Sequence, residues 1–279
     1  MSNPKANIAD VMAGLRTDID RVDTALLNLI AERMDLAAAV RRAKSGANVW
    51  RPSREESHVR DLARKASITK AGVTAPELVS HIWAELTSAS LTLQGPIGLH
   101  IALVGDALSS WSLVRDRFGA SIPAHTYPTT SAALAAAFAD LEGVAVLPAP
   151  GNMSNWWTAL GPDGAMSGMH ILAALPRIGN WNWPVAVAVS KAVIEPSGDD
   201  ITLVYVEAGN LSAPLTLGKV FENAGLPATP RAEVNGRNLY SVPGYFTDDS
   251  PEIKSLSAHV KAVKIIGVLP APIPLPMED

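Results

Sequence analysis

The chain of 279 residues contains no cysteine. That excludes a disulfide framework and any thiolate chemistry. No apolar run approaches the ~18 residues that a membrane-spanning helix needs, so no membrane contact is expected. The first residues, MSNPKANIAD, carry no apolar signal core, so the cytoplasm is the default expectation. A formal charge of −4 leaves no basic footprint, and nucleic acid is not an expected partner. The six histidines (His58, His81, His100, His125, His170, His259) are scattered without metal-ligand spacing. Neither a metal nor a cofactor is expected.

What is present is globular: 48% hydrophobic and 18% charged residues, over a length that favours two or three domains. The segment LRTDIDRVDTALLNLIAERMDLAAAVRRAK is patterned for a packed helix. Leu15, Ile19, Val22, Leu26, Leu29, Ile30, Leu36, Ala37 and Val40 recur at three- and four-residue steps. Three cations interrupt this pattern: Arg16, Arg33 and Lys44. Arg33 and Lys44 are about three turns apart and share a face. A cation on a buried face is costly without an anionic partner. Repeated cations of this kind point to a pocket for a small, multiply charged anion. The bland alternative is a solvated helix face, and Arg41, Arg42, Arg60 and Lys65 read that way. The helix is about forty residues long, and one chain offers too little to cover its stripe, so a partner chain is expected.

Pro52 punctuates the chain. Ser53 with Glu56 fits a capping box opening a second helix, with Arg54 and Glu55 in its first turn. Thr74 with Glu77 fits another, opening a third helix that runs to about Gln94. On it Ser90 and Gln94 are four apart and share a face.

This order of residues resembles the all-helical chorismate mutases over about residues 12–96. The resemblance rests on L-R-x-x-I-D-x-x-D-x-x-L-L-x-L-I-x-x-R from Leu15 to Arg33, on Lys44, on Arg54–Glu55 and on Ser90-x-x-x-Gln94. It implies an all-α, three-helix, intertwined homodimer with shared active sites, and chorismate as substrate. It implies that Arg33 and the other chain's Arg16 hold carboxylates, with Ser90 on a carboxylate as well. Lys44 and Gln94 would reach the ether oxygen, and Glu55 the ring hydroxyl. Arg51 stands where relatives often carry an acidic residue at the hydroxyl, so Arg51 either helps or replaces that contact.

The chemistry accounts for the residue types independently. Chorismate is a dianion, and its rearrangement to prephenate is intramolecular. The protein must hold a compact conformer, where positioning contributes about 7–11 kcal/mol in favourable cases. It must also stabilise charge on the breaking ether oxygen, at roughly 2.7–4 kcal/mol per well-aimed donor. Arginine's fork matches a carboxylate, and lysine supplies a concentrated charge. No general base is required.

Beyond Gly95–Pro96 the texture changes. GLHIALVGD, GVAVLPAPGN, HILAALPRI and WPVAVAVSK read as strands; SSWSLVRDRFG and TTSAALAAAFADLEG read as helices. Their alternation predicts an α/β lobe over 97–197 around a mostly parallel sheet. This lobe resembles one lobe of prephenate dehydratase. Ala149–Pro150–Gly151 replaces that family's acidic turn, and no Thr-Arg-Phe occurs, so a degenerate, dehydratase-inactive relic is expected. Trp156, Trp157, Trp181 and Trp183 read as core or interface packing.

Residues 198–279 read as β-α-β-β-α-β, the ferredoxin-like α+β unit, with a hairpin at Asn235–Gly236. In this position the unit resembles an ACT domain, which implies an aromatic amino acid as effector; Ser212–Ala213–Pro214–Leu215 departs from the family's loop, which favours a structural or dimerising role. The expected organisation is thus a helical mutase domain (1–96), a lobe and an ACT-like unit. Two alternatives stand beside it. One is a non-enzymatic amino-acid sensor or regulator that binds a pathway enzyme. The other is an isochorismate-pyruvate lyase with the same helical fold.

Overall fold

The computed structural model describes residues 4–43, 49–68, 75–151, 154–209 and 216–275. Three helices come first. Helix α1 spans Pro4–Ala43, α2 Pro52–Ile68 and α3 Pro76–Gln94. At ~1.5 Å per residue, α1 is about 60 Å long. Its expected apolar stripe is largely bare within one chain. Leu15, Ile19, Val22, Leu26, Leu29, Ile30, Leu36 and Val40 are exposed, and Ala37 alone among the nine is buried. The last part of α1 lies on α3, and the upstream stripe is exposed among the described residues.

Helix starts differ from the sequence expectation. Proline lacks an N–H and has a pre-set φ, so it suits the first helical position. Pro52 takes that place in α2, and the Glu55 amide donates to the Arg51 carbonyl at 3.1 Å. Ser53 is therefore inside the helix and not its cap. Its hydroxyl donates instead to the Glu195 carbonyl at 2.6 Å. Pro76 opens α3 in the same way after Ala75, with no side-chain cap; Thr74 lies outside the described residues.

The α/β part contains β1 (Gly98–Ile101), α4 (Ala107–Phe118), β2 (Ala124–Thr126), α5 (Thr130–Ala139), β3 (Gly143–Pro148), a 3-10 turn (Trp156–Leu160), β4 (His170–Leu175) and β5 (Ala186–Ser190). Both helices have side-chain caps, Asp106 on the Ser109 amide and Thr129 on the Ala132 amide. The last part follows β6 (Asp200–Glu207), α6 (Leu217–Asn223), β7 (Thr229–Val234), β8 (Arg237–Pro243), α7 (Pro251–Ser257) and β9 (Ala262–Pro270). Asn235 and Gly236 both have positive φ, the backbone that closes the β7–β8 hairpin.

The nine strands among the described residues form one sheet in the order β2-β1-β3-β5-β4-β9-β6-β8-β7. Strands β9-β6-β8-β7 pair antiparallel throughout, the β-α-β-β-α-β arrangement. The expectation of a mostly parallel lobe is corrected. β1 pairs parallel with β2 and β3, but β5 runs antiparallel to both β3 and β4. The connection from β4 to β5 carries no helix, and a parallel neighbour needs a crossover of a dozen residues or more. The lobe and the last unit join where Ile171 of β4 pairs with Gly267 of β9. A Cβ at Gly267 would sit 2.3 Å from the Ile171 carbonyl oxygen, so this joint requires glycine.

Alternate residues of each strand serve opposite faces. One face holds α5, the 3-10 turn, Trp156 and Trp157, and continues under Leu203, Tyr205, Ile266 and Leu269. The other holds α4 with Val114 and Phe118, then α6 and α7 with Phe221 and Ile253. Trp156, Trp157, Trp181 and Trp183 each donate an indole N–H to a backbone carbonyl, as packed tryptophans do. The α4 core also takes in Val49, Trp50 and Leu91 from the helical region. The helices are thereby seated on the sheet.

Candidate active site

A cavity of about 340 Å³ opens between the last third of α1, the start of α2 and the second half of α3. Arg33, Arg51, Arg54, Glu55, Ser90 and Gln94 all line it. These are six of the eight residues singled out in the sequence. The helical period explains the convergence: Ser90 and Gln94 are one turn apart on α3, and α1 lies on that face. Of the remaining two, only Arg16 is described, and it is not among the lining. Lys44 lies outside the described residues. Arg16 is exposed on α1, seventeen residues and so about 25 Å up the helix from Arg33.

Arg33 is fixed by α3. Its Nη1 donates to the Leu86 carbonyl at 2.8 Å and to the Ser90 hydroxyl. Ser90 in turn donates to the same carbonyl at 2.7 Å. Ser90 thus holds the arginine, and its hydroxyl hydrogen is already committed. Burial pushes the Arg33 guanidinium below its ordinary value, against a smaller opposing effect of the Glu55 charge. A partly desolvated cation of this kind is relieved by a bound anion. Gln94 is half-buried, and its amide has no hydrogen-bond partner among the described residues. Burial, with the nearby Arg33, Lys65 and Arg54 charges, holds His58 below the usual imidazole range, so it adds no positive charge near pH 7.

The wall of the cavity from Val49 to Glu56 is held from the α/β lobe. The Glu55 carboxylate accepts from Arg117 Nη1 of α4 at 2.5 Å, from Arg177 Nη2 just after β4, and from the Trp50 indole at 3.2 Å. Next to it, Glu56 pairs with Arg117 at 2.7 Å and Arg177 at 2.9 Å. The Arg117 and Arg177 side chains are 1% and 2% exposed, so these charges are paired inside the protein, with Glu55 at the cavity's edge. Arg177 also reaches Ser80 of α3. Further out, Arg51 makes a two-point pair with Glu195, and the Val49 amide donates to Glu142 at 3.1 Å.

Sequence reasoning missed Trp50, Arg117, Arg177 and Glu195. Arg117 sits in the last turn of an amphipathic helix, where a basic residue is expected anyway. Arg177, a charge closing the apolar strand HILAALP, was the better signal. Arg60 also departs from its surface reading: it is half-buried and donates to the Ala271 carbonyl at 2.6 Å.

Residues 15–95 match the family described as "Chorismate mutase type II". The match falls on the helical region, α1 to α3. The bifunctional chorismate mutase/prephenate dehydratase of Aquifex aeolicus is 36% identical over 85 residues. That match covers 30% of this chain and 24% of that protein, so the chain spans about a quarter of the length of this curated relative. Among the similar solved structures are two with a TM-score of 0.42. GqqA, described as a novel type of quorum-quenching acylase, is 17% identical and aligns over 63% of this chain and 95% of its own. Prephenate dehydratase from Arthrobacter aurescens, in complex with L-Phe, is 12% identical over 63% of this chain and 90% of its own.

The buried cluster makes stability sensitive to acid. Burial alone would raise the Glu56 carboxyl, but Arg117 and Arg177 outweigh it and hold it below the ordinary carboxylate value. A depressed folded-state value contributes stability above the unfolded value of ~4.3, lost as pH falls through the folded one. Glu56→Gln leaves two buried cations undercompensated and should cost about 3–5 kcal/mol at pH 7. Urea unfolding at pH 7 and pH 3 should show this penalty shrinking in acid. An equal penalty at both pH values would contradict the assignment.

Proposed function

We propose that the chain is a chorismate mutase that rearranges chorismate to prephenate. The observation that carries this reading is Arg33, a half-buried cation held by Leu86 and Ser90 at a cavity also lined by Gln94, Glu55 and Arg54. A small dianion satisfies such a site, because a bound anion offsets the desolvation that the Leu86 and Ser90 contacts and the Glu55 charge offset only in part. In this reading Arg33 grips a carboxylate, and Ser90 works chiefly by orienting Arg33. Gln94 donates its amide hydrogen to the ether oxygen, where negative charge develops. Lys44, downstream of α1, is assigned to the same oxygen. Glu55 accepts from the ring hydroxyl. The rearrangement moves no proton and forms no covalent bond to the protein, so positioning and fixed charge suffice.

The active unit is proposed to be a homodimer. The exposed stripe from Ile8 to Leu29 on α1 is more apolar surface than a monomer ordinarily leaves in water. A second α1 laid along it would carry Arg16 toward the other chain's cavity as the second carboxylate grip. The lobe is proposed to lack dehydratase activity, because Ala149–Pro150–Gly151 replaces the acidic turn and no Thr-Arg-Phe is present. The β6–β9 unit is proposed to be ACT-like and to serve assembly more than amino-acid sensing. The same cavity would suit an isochorismate-pyruvate lyase, and product identity separates the two.

The purified protein should deplete the chorismate absorbance and yield prephenate, with no phenylpyruvate at neutral pH. Release of pyruvate from isochorismate with no action on chorismate would favour the lyase. No turnover of either would favour a regulator. Enzymatic phenylpyruvate would overturn the inactive-lobe reading.

Sharing across chains has its own test. Arg33→Ala and Arg16→Ala should each lower kcat/KM by about 10- to 100-fold, the scale of a charge-assisted hydrogen bond. Mixing the two variants under subunit exchange should restore part of the activity, because one site of the heterodimer keeps both arginines. Confirmed exchange with no recovery would place Arg16 outside the site.

A further inference from the structure

The wall of the cavity is anchored to the α/β lobe at five places, and every anchoring group lies beyond α3. The Val49 amide meets Glu142, Arg51 meets Glu195, and Ser53 meets the Glu195 carbonyl. Trp50 packs on Phe118 at 5.6 Å. Glu55 and Glu56 meet Arg117 and Arg177. The wall residues that line the cavity are Val49, Trp50, Arg51, Arg54 and Glu55. Every one of them except Arg54 has a lobe or core anchor.

Glu55 is the most constrained. One carboxylate oxygen takes both lobe arginines, and the other takes the Trp50 indole. A carboxylate on the first turn of a helix has several rotamers in water, and ordering it costs free energy. Here that ordering is complete before any ligand arrives, and the groups responsible come from 62 and 122 residues downstream. Arginine suits this work because its planar fork reaches Glu55 and Glu56 together, which a lysine point charge does not.

We propose that Arg117, Arg177 and Glu195 are positioning residues of the mutase-like cavity, setting Glu55 and Arg51 in place, so that the α/β lobe is a working part of that site. This rests on the reading of the cavity as a chorismate site. The lobe then has a function that requires no chemistry of its own. It is the frame that pre-orders one wall of the pocket.

The test measures kcat and KM for chorismate with the full-length protein and its variants. Arg177→Lys keeps the charge but not the fork. It should raise KM about tenfold, the effect of one misaligned charged hydrogen bond, while kcat changes by less than about threefold. Because Arg177 acts through Glu55, the same substitution in a Glu55→Gln background should add little further loss. A merely structural role would give the same penalty in both backgrounds. Glu195→Gln sits at an exposed pair with little bearing on folding, and it should raise KM several-fold through Arg51.

A folded Arg177→Lys protein with wild-type KM and kcat would overturn the proposal, as would an undiminished loss in the Glu55→Gln background. If Arg177→Lys does not fold, Glu195→Gln decides, and an unchanged KM there overturns it. Absence of turnover in the wild-type protein would instead remove the site reading, and the inference with it.

Discussion

Four buried charges, Glu55, Glu56, Arg117 and Arg177, hold the helical region to the sheet, and the cavity's shape depends on them. Taking a charge out of water costs several kcal/mol even after relaxation, so the cluster persists only because each member has oppositely charged neighbours. Burial alone would lower the Arg177 guanidinium; Glu56 and Glu55 more than reverse that and raise it. The Arg117 guanidinium also lies 5.1 Å from the centre of the Phe118 ring, against which Trp50 packs. Electrostatics and packing therefore act on the same few residues. Such a cluster is weak evidence for net stability, since well-packed apolar residues often do as well. What it gives is a fixed geometry, and here that geometry is one wall of a pocket.

A fixed wall is what an intramolecular rearrangement needs. With no proton to move and no covalent intermediate to form, rate enhancement comes from holding one conformer and aiming charge at one oxygen. Both depend on groups that do not have to reorganise. Arg33 is held on one side by α3 and Glu55 on the other by the lobe, leaving Gln94 with a half-buried amide that has no partner among the described residues. The two walls are ordered by different parts of the chain.

The sequence made the helical half of the site readable because its signals are local. Ser90 and Gln94 lie one turn apart, and Arg33 interrupts an apolar period, so a 3.6-residue repeat brings them to one cavity. The apolar period of α1 was equally legible, and within one chain that stripe is largely exposed. Three things were not. Ser53 and Glu56 looked like a capping box, but Pro52 already occupies the first helical position, and both side chains reach the lobe instead. The direction of β5 was misread because alternating apolar segments do not reveal whether a crossover helix joins them. The partners of Glu55 lie far down the chain, beyond anything that periodicity or spacing can report.

The most direct measurement is amide hydrogen exchange across residues 49–58 in the wild-type protein and in Arg177→Lys, without ligand. If the lobe orders this wall, exchange should rise in that segment, while β3, β5 and the Arg33 turn of α1 keep their protection. Unchanged exchange at 49–58 in a folded variant would show that the helices order the wall unaided, and would contradict the account.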